Sequence, residues 1–257
     1  MTAAGGPRFL PEMTWTEARD ALSREPVGLL PVGATEAHGP HLPLHTDVYL
    51  SLELSFRVAE ALRGAPEALV LPPVAFSVAE CAASFPGSVT IAPEASRALL
   101  EDVVRSLGRN GPRTIALVNS HLEPEHVRVL EDVASAFGAG SPRVLFVDHR
   151  KKPWALELGD EFRGGDCHAG AYETSLLLAS RYAALVRRET AFSAPPVRAG
   201  LVRHLKAGLR SFREMGIADA YCGDPAIASA ETGEKHFAVL VRMWTETIRA
   251  AREAAKK

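Results

Sequence analysis

VGLLPVGATEAHGPHLPLHTDVYLSLELSFRVAEAL, residues 27–62, joins a short apolar run to a longer stretch of helical spacing, and its reading decides the fold. Val27 to Val32 is too short for a buried helix and is bounded by Pro26 and Gly33, so it reads as a buried strand. Val48 to Leu62 repeats apolar residues at 50, 54, 58 and 62, one face of a helix. The same alternation continues down the chain. Ala68 to Leu71 reads as a strand, and Pro93 to Asn110 as a helix with Pro near its first turn. Thr114 to Val118 is a second central strand, Pro124 to Phe137 a helix, Arg143 to Val147 a strand and Tyr172 to Leu185 a helix. Repeated βα units of this kind give an α/β fold around a mostly parallel sheet.

From Glu189 to Asp224 the periodicity weakens, and Pro195-Pro196 with several glycines predicts irregular loops covering one end of the sheet, as a lid or an oligomer contact. Glu231 to Ala254 closes the chain as a long helix, with Lys256 and Lys257 suiting its C-terminal dipole end. Residues 1–257 are read as one domain, a routine size for a single α/β core.

Composition narrows the function classes. Hydrophobic residues make up 47% of the chain and charged residues 23%, with a formal net charge of -2, so nothing marks a nucleic-acid footprint. The dense basic run at His149, Arg150, Lys151 and Lys152 is short enough to be a solvated loop. Met1 to Pro11 lacks the pattern of a secretory signal, and no run of 18 apolar residues occurs, so a cytoplasmic protein without a membrane partner is expected. Cys81, Cys167 and Cys222 are odd in number and far apart, which predicts reduced thiols.

The polar residues concentrate where strands end. Between Gly33 and Asp47 stand His38, His41, His45, Glu36 and Asp47, and loops leaving the carboxyl ends of parallel strands are where ligands bind. A second cluster, Asn119-Ser120-His121-Leu122-Glu123, follows the strand at 114–118, and in extended chain His121 and Glu123 project the same way. If those two strands are neighbours, about 4.8 Å apart, their loops bring Glu36, His38, Asp47, His121 and Glu123 into one ligand sphere. Imidazole with carboxylate suits zinc or manganese, and a bridging carboxylate suits a pair of ions. His41 and His45 have no matching partner and are read as loop or supporting residues. A third cluster runs from Gly164 to Ser175, where His168 could protonate a leaving nitrogen and Glu173 could orient it, or merely complement a helix N-terminus.

With these motifs in hand the sequence resembles the creatininase (creatinine amidohydrolase) family, through LLPVGATEAHGPHLPLHTD at 29–47, FPGSVTI at 85–91, ALVNSHLEP at 116–124 and HAGAYETSLLLA at 168–179. The resemblance implies a three-layer α/β/α fold, a two-metal site and commonly a homohexamer. By motif position it places Glu36 and His121 on one metal and His38 and Glu123 on the other, with Asp47 bridging and His168 and Glu173 in the second catalytic region. It implies hydrolysis of an amide C–N bond in a small cyclic amide, a formamide or a short peptide. The expected mechanism uses a hydroxide bridging two divalent ions, with Glu123, His168 and Glu173 as catalytic residues. The tryptophans that wall the creatininase pocket have no evident counterpart here. Two other readings stay open: an amidase using Cys167 beside His168, and a metal-stabilised scaffold or binding subunit that does no chemistry.

Overall fold

The computed structural model describes residues 7–64, 67–138, 140 and 142–254. Its core is a five-stranded parallel sheet, β1 (Arg8–Phe9), β2 (Val27–Val32), β3 (Ala68–Val70), β4 (Thr114–Asn119) and β5 (Arg143–Leu145), in the order β1-β3-β2-β4-β5, with helix α1 (Trp15–Leu22) between β1 and β2 in the chain. The neighbouring pair that the site requires is present: β2 and β4 run side by side with Val32 opposite Asn119, so both loops leave the sheet at the same place.

Alternation along the strands divides the core in two. Leu30 and Val32 of β2, with Ile115 and Leu117 of β4, face helices α3 (Pro93–Arg109) and α4 (Pro124–Ala136), through Leu100, Val104, Val129 and Leu130. Val27 and Leu29, with Ala116 and Val118, face α2 (Thr46–Ala61), α6 (Ala171–Leu178) and α9 (Ala230–Ala254), where Leu50, Leu54, Leu177, Phe237 and Trp244 are buried. The result is the α/β/α sandwich, because strands buried on both faces carry apolar residues at every position. At the strand exit Gly33 packs on the start of α2 so closely that a Cβ there would lie 2.6 Å from Val48 N. That approach brings Asp47, on the first turn of α2, beside the loop carrying Glu36.

Several boundaries differ from expectation. Strand β5 stops at Leu145, and the two-residue edge strand Arg8–Phe9 is too short for a periodic signal. The helix expected to reach Leu185 ends at Leu178, followed by a separate turn at Ala183–Leu185. There Arg57 Nη2 donates to Ala179 O at 2.7 Å and Ser180 Oγ accepts from Tyr182 N at 3.0 Å, which takes the chain out of the helix. The stretch expected to be irregular from Glu189 to Asp224 overlaps two helices of six residues each, α7 (Arg188–Ser193) and α8 (Leu201–Lys206), in otherwise irregular chain. Among the described residues no helix is long and apolar enough to cross a membrane. Lys256 and Lys257 lie outside the described residues, as does the start of the Met1–Pro11 stretch.

Candidate metal centre

Three loops meet over the carboxyl ends of β2 and β4. The 33–47 loop is tied to the chain after α8 by Gly39 N to Ala220 O at 2.8 Å, and that chain is tied to the third loop by Cys222 N to His168 O, also 2.8 Å. Glu36, His38, Asp47, His121 and Glu173 are all buried at their meeting point.

Asp47 stands at the centre. Its Oδ1 is 3.2 Å from His38 Nε2, and its Oδ2 is 3.1 Å from His121 Nδ1. Glu36 Oε1 is 3.2 Å from the same nitrogen of His121. Glu173 Oε2 is 3.6 Å from His38 Nε2, and His168 Nδ1 is 3.9 Å from Glu36 Oε1. Donor atoms close enough to share an ion fall into the groups Glu36-Asp47-His121, His38-Asp47-Glu173 and Glu36-His38-His168.

Each histidine is held from behind by a backbone carbonyl. His38 Nδ1 faces Glu36 O at 3.1 Å, His121 Nε2 faces Val78 O at 2.7 Å, and His168 Nε2 faces Ala37 O at 3.0 Å. A carbonyl can only accept, so these nitrogens donate and the second nitrogen of each ring points into the cluster. That is how a metal-binding imidazole is usually oriented. Buried Glu36 Oε2 and Asp47 Oδ2 have no hydrogen-bond partner, although His121 Nδ1 lies within reach of Asp47 Oδ2; the contact lacks hydrogen-bond alignment. Buried carboxylate oxygens without donors are costly, and a cation between them removes the cost. The donor set of imidazole and carboxylate therefore fits divalent metal.

The charges agree. Burial disfavours a charged His38, but Asp47, Glu173 and Glu36 outweigh it and hold the imidazole up at about 10. His121 is likewise raised well above its usual value by Glu36 and Asp47 against the same burial. Burial opposes ionisation of Asp47 and Glu36 too, yet His38 and His121 around Asp47, and His121 beside Glu36, keep both carboxyls low. Burial raises Glu173 to about 8 despite His38 nearby. Without metal, protons occupy the places that cations suit.

The arrangement differs from the motif-based pairing in one respect. Glu173, not Glu123, is the carboxylate that meets His38, while Glu123 accepts hydrogen bonds from Glu80 N and Cys81 N, each at 3.1 Å. Glu123 instead lines a cavity of about 60 Å³ whose floor includes Glu36, Asp47, His121, His168 and Glu173. Burial holds its carboxyl above the ordinary range. His168 is kept down at about 4 by burial and by His38, so it is neutral at pH 7 with Nδ1 toward the cluster.

The family model for "Creatinine amidohydrolase" matches residues 11–248. The chain belongs to the creatininase family. Among relatives, the mycofactocin precursor peptide peptidase of Mycobacterium ulcerans is 34% identical over 219 residues, covering 83% of this chain and 80% of its own. The creatinine amidohydrolase of Pseudomonas putida is 32% identical over 207 residues, covering 73% and 77%. The solved structure described as "Creatininase Mn" superposes with a TM-score of 0.74 at 25% identity, over 95% of this chain and 98% of that one.

Two supporting residues of this creatininase-family site, Asn119 and His126, were not singled out by the sequence. Asn119 Nδ2 donates to His121 O at 2.6 Å, and its Oδ1 accepts from His121 N and from His126 Nε2. Asn119 sat in a quoted motif, but nothing in its spacing separated it from a turn residue. His41 is a buried support, Nε2 donating to Ala169 O at 2.8 Å, whereas His45 precedes α2 and packs edge-on against Tyr49. Cys167 lines the cavity, but burial and the Glu173 charge push its thiol well up, opposite to what a thiolate nucleophile needs.

Proposed function

We propose that this chain is a metal-dependent amidohydrolase that cleaves an amide C–N bond of a small cyclic amide, a formamide or a short peptide. Glu36, Asp47 and His121 would hold one divalent ion and His38, Asp47 and Glu173 a second, with zinc or manganese suited to such donors. A pair of this kind, when bound, supplies Lewis acidity and an acidified water. The observation that carries the reading is the common orientation of three histidines, each giving one N–H to a backbone carbonyl and turning its other nitrogen onto buried carboxylates, two of whose oxygens lack partners.

The remaining residues divide the proton work. Glu123 faces the cavity with a carboxyl that burial makes more basic, so it suits accepting a proton from the attacking water. His168 presents an unprotonated Nδ1 to the same space, so it can take up the proton that Glu123 has accepted and pass it to the departing nitrogen. The named relatives support both a peptide and a cyclic amide as substrate class. Hydrolysis of formamides, lactams and short peptides by protein purified without added metal, after chelation and after return of zinc or manganese, tests the reading. Activity lost with the metal and restored by it is expected, with Cys167→Ala fully active; activity that survives complete metal removal overturns it.

A further inference from the structure

The segment over the cavity closes it with apolar side chains. Leu201 and Leu205, one helical turn apart on α8, line the cavity with Phe212, Leu122 and Pro124. Every charged side chain that lines it belongs to the cluster or is Glu123. None of the covering segment's cations lines the cavity: Arg203, Lys206, Arg210 and Arg213 are exposed, and only the Arg210 charge is felt at Cys81 on the cavity's edge. Arg210 Nη1 donates to Leu205 O at 3.3 Å, and Arg213 packs over the Phe85 ring while donating to Ser84 Oγ.

This wall is fixed at both ends. The Asp166 carboxylate accepts from Gly200 N at 2.9 Å and from Leu201 N at 2.6 Å, which anchors the start of α8. Phe212 N donates to Cys81 O at 2.8 Å, and its ring sits 4.6 Å from that of His168. A wall held this way needs little ordering when a ligand arrives. Its own side chains offer a substrate side group no hydrogen-bond donor and no charged contact. A polar or ionic group placed there loses its water without replacement, whereas an apolar group gains from burial.

Resting on the hydrolase reading above, we propose that the substrate carries an uncharged aliphatic or aromatic side group that packs against Leu201, Leu205 and Phe212, and that these three residues determine specificity. The test uses metal-loaded wild type and a matched series of amides differing only in the side group: isovaleramide and phenylacetamide against glycinamide and succinamate. Calorimetric binding and turnover are measured separately. Binding of the two apolar amides at least about tenfold tighter than the charged ones is expected, in line with the discrimination one small apolar group confers. Leu205→Asp should erase that preference with an unchanged circular dichroism spectrum, and Leu205→Met should keep it. Equal or tighter binding of the charged amides, or binding of none of the four, overturns the proposal. Selective binding without turnover of any amide supports the apolar wall and counts against the hydrolase reading alone.

Discussion

His121 Nδ1 lies 3.1 Å from Asp47 Oδ2 without the alignment of a hydrogen bond, a relationship that an ion between the two atoms explains. Asp47 belongs to two of the donor groups and Glu173 to one. Asp47→Ala should therefore lose both ions, while Glu173→Ala should keep about one of the roughly two expected for a binuclear site. Elemental mass spectrometry on the purified variants decides this. Full metal content in Asp47→Ala would remove the basis for the assignment.

Metal uptake should expel protons. With His38 held near 10 and His121 well above its usual value, both rings are charged at pH 7 in the metal-free protein, and each must lose a proton to become a ligand. Affinity should rise with pH, and the heat of binding should depend on the ionisation enthalpy of the buffer. A raised folded-state value also means that the proton on His38 stabilises the metal-free fold fully below about pH 6.5. That contribution is lost as pH rises through about 10. The Tm of metal-free protein should fall across this window, and metal should flatten or reverse the trend. Buffer-independent heats would show that the rings carry no proton to release.

Much of this site was legible because it follows strand ends. The run Val27 to Val32, the glycine after it and the polar loop predicted both the sheet and the place of Glu36, His38 and Asp47. The pairing of His38 with Glu173 was not legible, since it depends on how the loop after α5 (Gly159–Gly164) folds back over the sheet. Ala169 there takes φ 51, a left-handed conformation rare outside glycine and one that no local spacing announces. In that conformation Ala169 N donates to Glu173 Oε2 at 2.6 Å and Ala169 O accepts from His41. The end of α6 at Leu178 was equally hidden, because the arginine that claims Ala179 O lies 122 positions away.

Glu161 should prove to be the clamp on that loop. Its carboxylate accepts from Ala171 N at 3.0 Å, Tyr172 N at 2.9 Å and Asp224 N at 2.7 Å, joining the first turn of α6 to the chain beyond α8. A Cβ on Gly170 would come within 2.5 Å of the same carboxylate. Glu161→Ala leaves three backbone donors short of an acceptor. At about 1–3 kcal/mol for each donor that stays dry, the variant should melt at a visibly lower temperature and turn over more slowly. Glu161→Gln, which keeps one acceptor oxygen, should recover part of both losses. An unchanged Tm in Glu161→Ala would mean that the loop is held by its other contacts.

Acid sensitivity should trace in part to His149, away from the metal cluster. The side chain is buried, its ring stacked 5.7 Å from that of Phe162. Burial, reinforced by Arg150 and only partly opposed by Asp148, holds it down at about 4. The unfolded chain takes up a proton near pH 6.5, whereas the fold resists one until about pH 4. Stability is therefore intact above pH 6.5 and drains as pH falls through that interval. At 1.36 kcal/mol per unit the loss reaches roughly 3 kcal/mol. Denaturant midpoints measured from pH 7 to 4 should fall more steeply for wild type than for His149→Phe, which keeps an aromatic ring against Phe162 and cannot titrate. Parallel slopes in the two proteins would place the acid-labile group elsewhere.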